Sequence, residues 1–258
     1  MNDYSIRDLE LAGVKWELSD IPFVLRAKWN SETKNQPTTQ SVKPAPAVGN
    51  ETITVVPPIA PIETVSVDTA VSMASRPSDI DTLIRMIGEF NHPLRNAVTK
   101  TVFPNIAKNP NGLVVITDVP GSDDDATGVV LSGGAGELMD KMLAAIGMGR
   151  DSVSIIPIIF WRTPGGRTPT PDELALARPF VKRLLEFLSP KMILTLGATP
   201  AQEIAGIQLS HAHGRISNTE NGTPVMSIYH PNYLMLKPSY KRDVWTALQE
   251  LQKMLKNQ

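Results

Sequence analysis

The chain has 258 residues, 41% of them hydrophobic, and a formal net charge of −1. That length holds one sizeable core with room for a tail or a second small element, and near-neutrality excludes a chain-wide basic footprint, so any nucleic-acid contact has to come from a local cluster of Lys, Arg and His. The sequence contains no cysteine, which excludes disulfides, thiolate zinc sites, Cys-ligated iron-sulfur clusters and a cysteine nucleophile. There is no basic start followed by an apolar core and a small-residue cleavage site, and no apolar run approaching about 18 residues; the expectation is a cytoplasmic protein with no membrane segment.

In chain order, residues 1–28 carry a short amphipathic pattern, "LELAGVKWEL" and "IPFVLRAKW", that predicts one helix with Leu9, Leu11, Val14 and Trp16 on its apolar face. It is a candidate docking element for a protein partner. Residues 29–78 turn to Pro, Thr, Ser, Val and Ala and read as an extended linker, although "ETITVV" and "ETVSV" could pair as strands. The stretch "SDIDTLIRMIGEF" opens on a Ser or Asp cap and puts Ile80, Leu83, Ile84 and Ile87 on one face, predicting a helix over 79–90. Four apolar strands follow, at 112–117, 152–159, 191–197 and 223–230. Helices fit at 134–147, 171–188, 199–205 and 238–256. Strands separated by single helices predict an α/β domain over 79–258: three layers, α/β/α, around a central four-stranded, mainly parallel sheet. Ligands collect at the carboxyl ends of such strands, where "TDVPGSDDD", "FWRTPGGRTPTPDE", "GATP" and "YHPNYLMLKP" fall.

From about residue 79 onward these loops resemble the uracil-DNA glycosylase superfamily, most closely its bacterial iron-sulfur branch. Thr117-Asp118-Val119-Pro120-Gly121 matches a Gly-Glu-Ala-Pro-Gly loop, and Gly133-Gly134-Ala135-Gly136 a Gly-x-Ala-Gly helix start. "WRTPGGRTPTPDELALARPF" matches an Arg-Pro-Pro loop with its helix, "LTLGATPAQ" a Leu-Gly-Ala-Thr strand end, and "YHPNYLM" a His-Pro motif. The resemblance implies a DNA partner and hydrolysis of the N-glycosidic bond of a flipped base. Departures from the pattern matter equally. The family's four cluster cysteines correspond to Glu89, His92, Trp161 and Ala177, so no cofactor is expected, and Trp161 packed against Ala177 is expected to fill the vacated space. The aromatic residue that stacks on the base corresponds to Leu131. The asparagine that reads the uracil edge corresponds to Pro157, which offers neither donor nor acceptor. Uracil activity is therefore expected to be weakened, altered or lost.

Residue by residue, the resemblance puts Asp118 where the family has Glu, able to orient water or touch the base; an Asp at a strand-to-loop corner equally makes an Asx turn. Asp124 and Asp125 match an acidic pair able to hold water near the sugar, whereas the run Asp123–Asp125 also reads as a solvated loop and its spacing is not that of a calcium loop. His230 is the leading catalytic candidate, as a donor to the base oxygen where negative charge develops; the alternative is a histidine capping the strand end. The base pocket is expected to comprise Val119, Pro120, Leu131 and Pro157. Expected DNA contacts are Gly121, Arg162, Arg167, Asn232, Lys237, Lys241 and Arg242, with Tyr233 after the His-Pro step, while Arg162 could instead pair with a nearby Asp. "SGGAGE" offers helix N-terminal amides or simply a tight turn with close packing. His211 and His213, at i and i+2, would share a face only on a strand and find no third metal ligand; with Arg215 they fit phosphate contact or exposure, and no metal site is expected. Besides the glycosylase, two rivals stand. One is a non-catalytic scaffold that recruits a partner through the N-terminal helix and tether; the other is a nucleotide or nucleoside binder.

Overall fold

In the computed structural model of the protein, residues 65–95 and 99–256 are described, and they belong to the compact unit Ile59–Gln258. The expected helix within 1–28 and the "ETITVV" strand lie outside the described residues.

Five strands form one sheet: β1 (Leu113–Thr117), β2 (Ser154–Pro157), β3 (Met192–Leu196), β4 (Ile216–Asn218) and β5 (Pro224–Ile228), in the order β2-β1-β3-β5-β4. Four are parallel; β4 runs antiparallel to β5, so the sheet has one strand more than the four expected. The three residues of β4, "ISN", are largely exposed on an edge, which leaves no apolar alternation to read.

The pleat divides the core into two layers. Val114 and Ile116 of β1, Ile156 of β2, Ile193 of β3 and Val225 of β5 face one cluster, with helices α1 (Val67–Ser75), α2 (Ile80–Glu89) and α5 (Pro171–Leu188). Leu113, Val115, Ile155, Leu194, Leu196, Met226 and Ile228 face the other, with α4 (Gly133–Ala145) and α9 (Lys241–Lys256). Continuous burial along β1, β2 and β3 is what helices on both faces require. Two polar side chains in this interior, Thr195 and Ser227, satisfy each other across β3 and β5 at 2.6 Å. No helix among the described residues is long and apolar enough to cross a membrane.

Helix α2 begins as expected on an Asp79 cap whose side chain accepts from Thr82 N at 2.8 Å, and it buries Leu83 and Ile87. Helix α5 begins on a reciprocal box: Thr170 N donates to Glu173 Oε2 at 2.8 Å and Glu173 N donates to Thr170 Oγ1 at 3.2 Å. The stretch read as linker up to residue 78 contains α1, which starts on Ser66 and buries Ala70 and Ala74 in the α2–α5 layer. Two alanines four residues apart give a narrow helix face that lets backbones approach closely, and this is why composition alone reads as linker.

Between β1 and α4 lies α3 (Ser122–Thr127); α6 (Ala198–Ala205) and α7 (Leu209–Ala212) follow β3, and α8 (Pro231–Leu236) follows β5. The connection leaving β1 passes through α4 on one face, while that leaving β3 enters α6, whose Ile204 and Ala205 pack on the opposite face. The crevice between the carboxyl ends of β1 and β3 is therefore the topological switch point of the sheet.

Candidate functional site

Asp118 leaves β1 at that switch point. Its Oδ1 accepts from the adjacent Val119 N at 2.9 Å, and its Oδ2 lies 2.7 Å from where a Cβ on Gly197 would sit. Gly197, at φ 104°, ends β3 and donates its N–H to Ile228 O at 3.0 Å. A side chain at 197 would meet both a backbone penalty and the carboxylate. The short turn of Asp118 and its position over the crevice thus coexist.

From β5 the chain reaches His230, which caps α8: Nδ1 accepts from Asn232 N at 3.1 Å. An accepting Nδ1 places the proton of the neutral ring on Nε2. That nitrogen lies 3.0 Å from Thr117 Oγ1, at the end of β1. Burial lowers the His230 pKa below the usual 6.5, and the nearby Asp118 and Asp124 carboxylates pull it partly back up. The result is a neutral donor aimed at the strand ends. Of the two alternatives in the sequence, the capping one is realised, and the same ring leaves Nε2 beside the end of β1. Behind it, Tyr229, Tyr233 and Tyr240 pack ring against ring at 4.9–5.5 Å, and His213 stacks on Tyr229 at 4.2 Å.

The aspartate run is helical rather than a solvated tip. Carboxylates at 123, 124 and 125 occupy the first turn of α3, where unpaired amides and the helix dipole favour negative charge. Asp124 accepts from Gly121 N at 2.9 Å through Oδ2 and from Ser132 N and Oγ at 2.6 and 2.9 Å through Oδ1. Its lone pairs are largely spent on joining the β1 loop to the start of α4. Asp125 Oδ1 accepts from Lys100 N at 2.8 Å, and its Oδ2 lies 3.9 Å from Arg162 Nη1, the neighbouring-Asp alternative foreseen for that arginine. Asp123 is exposed against Gly133. Among the described residues no group of three or more His, Asp or Glu side chains converges to hold a metal ion.

Val119 is partly buried, and Pro120, Leu131 and Pro157 are buried. Pro157 ends β2 opposite Thr117, and Ile158 N donates to Thr117 O at 2.9 Å. Around Gly133 and Gly136 the packing alternative applies, since a Cβ on either would come within 1.8 Å of Asp123 Oδ2 or Leu131 O respectively.

The expected DNA contacts divide into two groups. Lys237, Lys241 and Arg242 are exposed and form no ion pair among the described residues, and Asn232 is exposed beside them. Arg167, by contrast, is taken up by Glu173: Nη1 donates to Oε2 at 2.8 Å and Nη2 to Oε1 at 2.5 Å. That pair lowers the Glu173 pKa, so one carboxylate both closes the α5 cap and holds Arg167. Gly121 spends its N–H on Asp124. His211 lies in α7 and His213 just beyond it, not on a strand, so the i and i+2 pair shares no common face. Thr117, read in the sequence only as the first residue of the TDVPG loop and given no role there, lies beside His230, and the apolar end of α8 also stands near the strand ends, with Met235 and Leu236 45% and 78% exposed. Exposed apolar residues within a few positions of His230 were the available signal.

The residues at the four cluster positions do not fit an iron-sulfur cluster. Trp161 is fully buried and stacks on His92 at 4.5 Å, 10° from parallel, with Phe90 and Phe160 at 6.2 and 5.8 Å. Ala177 and Phe180 are buried in the same cluster. Both nitrogens of His92 are engaged, Nε2 with Glu173 O at 3.0 Å and Nδ1 as acceptor from Leu94 N at 3.1 Å. Glu89 is exposed at the end of α2.

A mainly parallel α/β/α sheet with a histidine and a carboxylate at its switch point, next to an exposed apolar and basic loop, defines an α/β protein with a candidate site at the carboxyl edge. Comparison with known proteins gives the family: the model of the uracil DNA glycosylase superfamily matches residues 103–252, and the chain belongs to that superfamily. A Type-4 uracil-DNA glycosylase of Archaeoglobus fulgidus is 31% identical over 155 residues, 56% of this chain and 78% of the relative. One from Thermotoga maritima is 31% identical over 126 residues, 48% of this chain and 66% of the relative. A DNA polymerase of Bacillus phage SP01 is 26% identical over 113 residues, 43% of this chain but 12% of the polymerase.

Proposed function

We propose that this protein binds DNA with the carboxyl edge of its sheet and hydrolyses the N-glycosidic bond of a flipped base, with discrimination for uracil reduced. The observation that carries the reading is His230, held as a neutral Nε2–H donor by the Asn232 amide. In the reaction the bond between sugar C1′ and the base nitrogen breaks, the electron pair leaves with the base, and a water oxygen bonds to C1′ while its proton passes to solvent or a carboxylate. Negative charge appears on the base oxygens as the bond lengthens. A fixed, uncharged donor stabilises that charge without reorganising. With the ring held through Nδ1 by the Asn232 amide, the Nε2–H that meets Thr117 Oγ1 in the free protein would exchange that partner for the base oxygen. Asp118, with one oxygen committed to Val119, has the other over the switch point to orient water.

Flipping leaves a gap in the stack, and an exposed apolar side chain beside the pocket fills such gaps. Leu236, with Met235, is suited to that role; Lys237, Lys241 and Arg242 supply phosphate contacts, with Arg162 across the crevice. The buried aromatic group around Trp161 does the packing work of the cluster, so the protein functions without it. At the pocket Pro157 leaves the polar edge of uracil without a partner, a loss that weighs heavily in discrimination.

A second reading, a non-catalytic glycosylase-fold scaffold or subunit that recruits a partner through its N-terminal helix and tether, is supported by Pro157 and by the likeness to a short part of a phage DNA polymerase. Incubation with single- and double-stranded oligonucleotides carrying uracil, hypoxanthine or no lesion, scoring binding and abasic-site formation, separates the two. Abasic product that vanishes in His230→Ala supports the enzyme. Binding without product supports the scaffold, and no binding at low salt removes both.

A further inference from the structure

Leu131, at the position the resemblance gives to the base-stacking residue, stands at φ 50°. A branched side chain adopts that backbone region only where its surroundings over-determine it. Arg150, in the turn between α4 and β2, supplies the determination. Its Nη1 donates to Val130 O at 2.9 Å and its Nη2 to Leu131 O at 2.5 Å, while Nε donates to Asp140 of α4 at 2.8 Å. The two carbonyls belong to the peptide planes on either side of the Leu131 Cα. Holding both planes against one rigid, planar fork fixes φ and ψ of Leu131 together. Two further contacts close the arrangement. Ser132 N donates to Asp124 Oδ1 at 2.6 Å, and Gly136 has no Cβ where one would lie 1.8 Å from Leu131 O.

We propose that Arg150, aimed by Asp140, is the positioning residue of the loop Val130–Ser132: it holds Leu131, 2% exposed in the apolar layer with α4 and α9, in the left-handed conformation that fixes where this stretch borders the proposed base pocket. The inference rests on the glycosylase reading for its catalytic consequence, but not for the clamp itself. Arg150 touches no base. It acts only through the two carbonyls, so a lysine, a single point charge, cannot replace it.

The test uses the full chain with Arg150→Lys and Arg150→Ala. Four quantities are measured: thermal midpoint, hydrogen exchange of the amides at 131–136, affinity for an undamaged duplex, and single-turnover base release from the best oligonucleotide of the panel above. Both variants are expected to exchange faster at 131–136 and to bind undamaged duplex within about twofold of wild type, because phosphate contacts come from other loops. Base release is expected to fall on the order of 10- to 100-fold, the cost of misplacing a group by about an ångström. Millimolar guanidinium is expected to restore part of the loss in Arg150→Ala but none in Arg150→Lys. Unchanged base release in either variant overturns the proposal, as does a loss that follows duplex affinity and thermal midpoint in parallel, which marks a purely structural role. Should wild type release no base, the glycosylase reading fails separately, and exchange at 131–136 decides the clamp: rates equal to wild type overturn it.

Discussion

Replacing Trp161 by Ala tests how much the buried aromatic group, at the positions that the resemblance gives to cluster ligands, contributes to packing. The indole is fully buried, stacks on His92 at 4.5 Å and donates Nε1–H to Thr101 Oγ1 at 3.1 Å. A buried Trp→Ala change costs about 3–5 kcal/mol, and loss of the stacked and edge-on ring pairs places this site toward the upper end. In a domain of this size that corresponds to a thermal midpoint lower by roughly 8–20 °C. The hydroxyl of Thr101 adds little, since it regains water. Urea unfolding followed by far-UV circular dichroism gives the free energy, read from the midpoint shift at unchanged slope. Trp161→Phe keeps a ring in the stack and should lose less than half as much. Iron and sulfide added during refolding should leave the wild-type midpoint where it was. A loss below about 1.5 kcal/mol for Trp161→Ala would refute the reasoning, because that is less than removal of a well-packed side chain from a rigid site costs.

The remaining expectations concern the site. Base release should be level at neutral pH and fall as pH drops through the His230 pKa, which burial puts below 6.5; protonation turns Nδ1 from acceptor to donor against Asn232 N, so a rate–pH profile with its acid limb at or above 6.5 would contradict the assignment. Stability should follow the same sign: burial lowers the pKa of His92, His213 and His230, so the unfolded chain takes up protons first, and the urea midpoint should decline as pH falls below 6.5 but not above it. Leu236→Ala, at a position 78% exposed, should change stability by less than about 0.5 kcal/mol while weakening binding to a lesion duplex; equal affinity for both proteins argues against a wedge. Pro157→Asn should raise uracil excision relative to hypoxanthine, by about 5- to 150-fold for the 1–3 kcal/mol of a restored polar contact, and an unchanged ratio in competition assays removes Pro157 from the account of specificity.

Where the sequence was legible, periodicity coincided with burial. "GLVVIT" and "KMILTLG" became the two central strands because both faces of each are covered, and "PDELALARPFVKRLLEFL" became α5 over the residues expected, with its Thr170–Glu173 cap intact. Helix α1 was not legible because alanines rather than large apolar residues mark its inner face. Helix α3 was not legible because three adjacent carboxylates suggest solvent, whereas the amides of a helix start accept them. Of the site, His230 and Asp118 could be read from motif and position, but their partners could not. Thr117 meets His230 across 113 positions of sequence, and Arg167 faces a glutamate whose role in the cap was evident while its second role was not.

Pro157, which the resemblance sets against an asparagine, stands where the fold accepts a proline at little cost. Strand β2 is the edge strand of the sheet, paired with β1 on one side and on the other meeting the isolated bridge of Asn105 at Ile155. A proline inside a central strand would cost a ladder hydrogen bond, but an edge strand tolerates one whose missing N–H points away from its partner. At Pro157 the bond to β1 is made by the following residue, Ile158 N to Thr117 O. Proline there leaves the ladder and the switch point in place, and on the proposed reading it removes only the group that would read the base. By contrast, a Cβ at Gly197 or Gly136 would meet the Asp118 carboxylate or the Leu131 carbonyl, so these positions govern whether the site exists at all. On the proposed reading, recognition and architecture are carried by different residues of the same loops, so a chain of this fold could hold the geometry of a glycosylase while changing what that geometry reads.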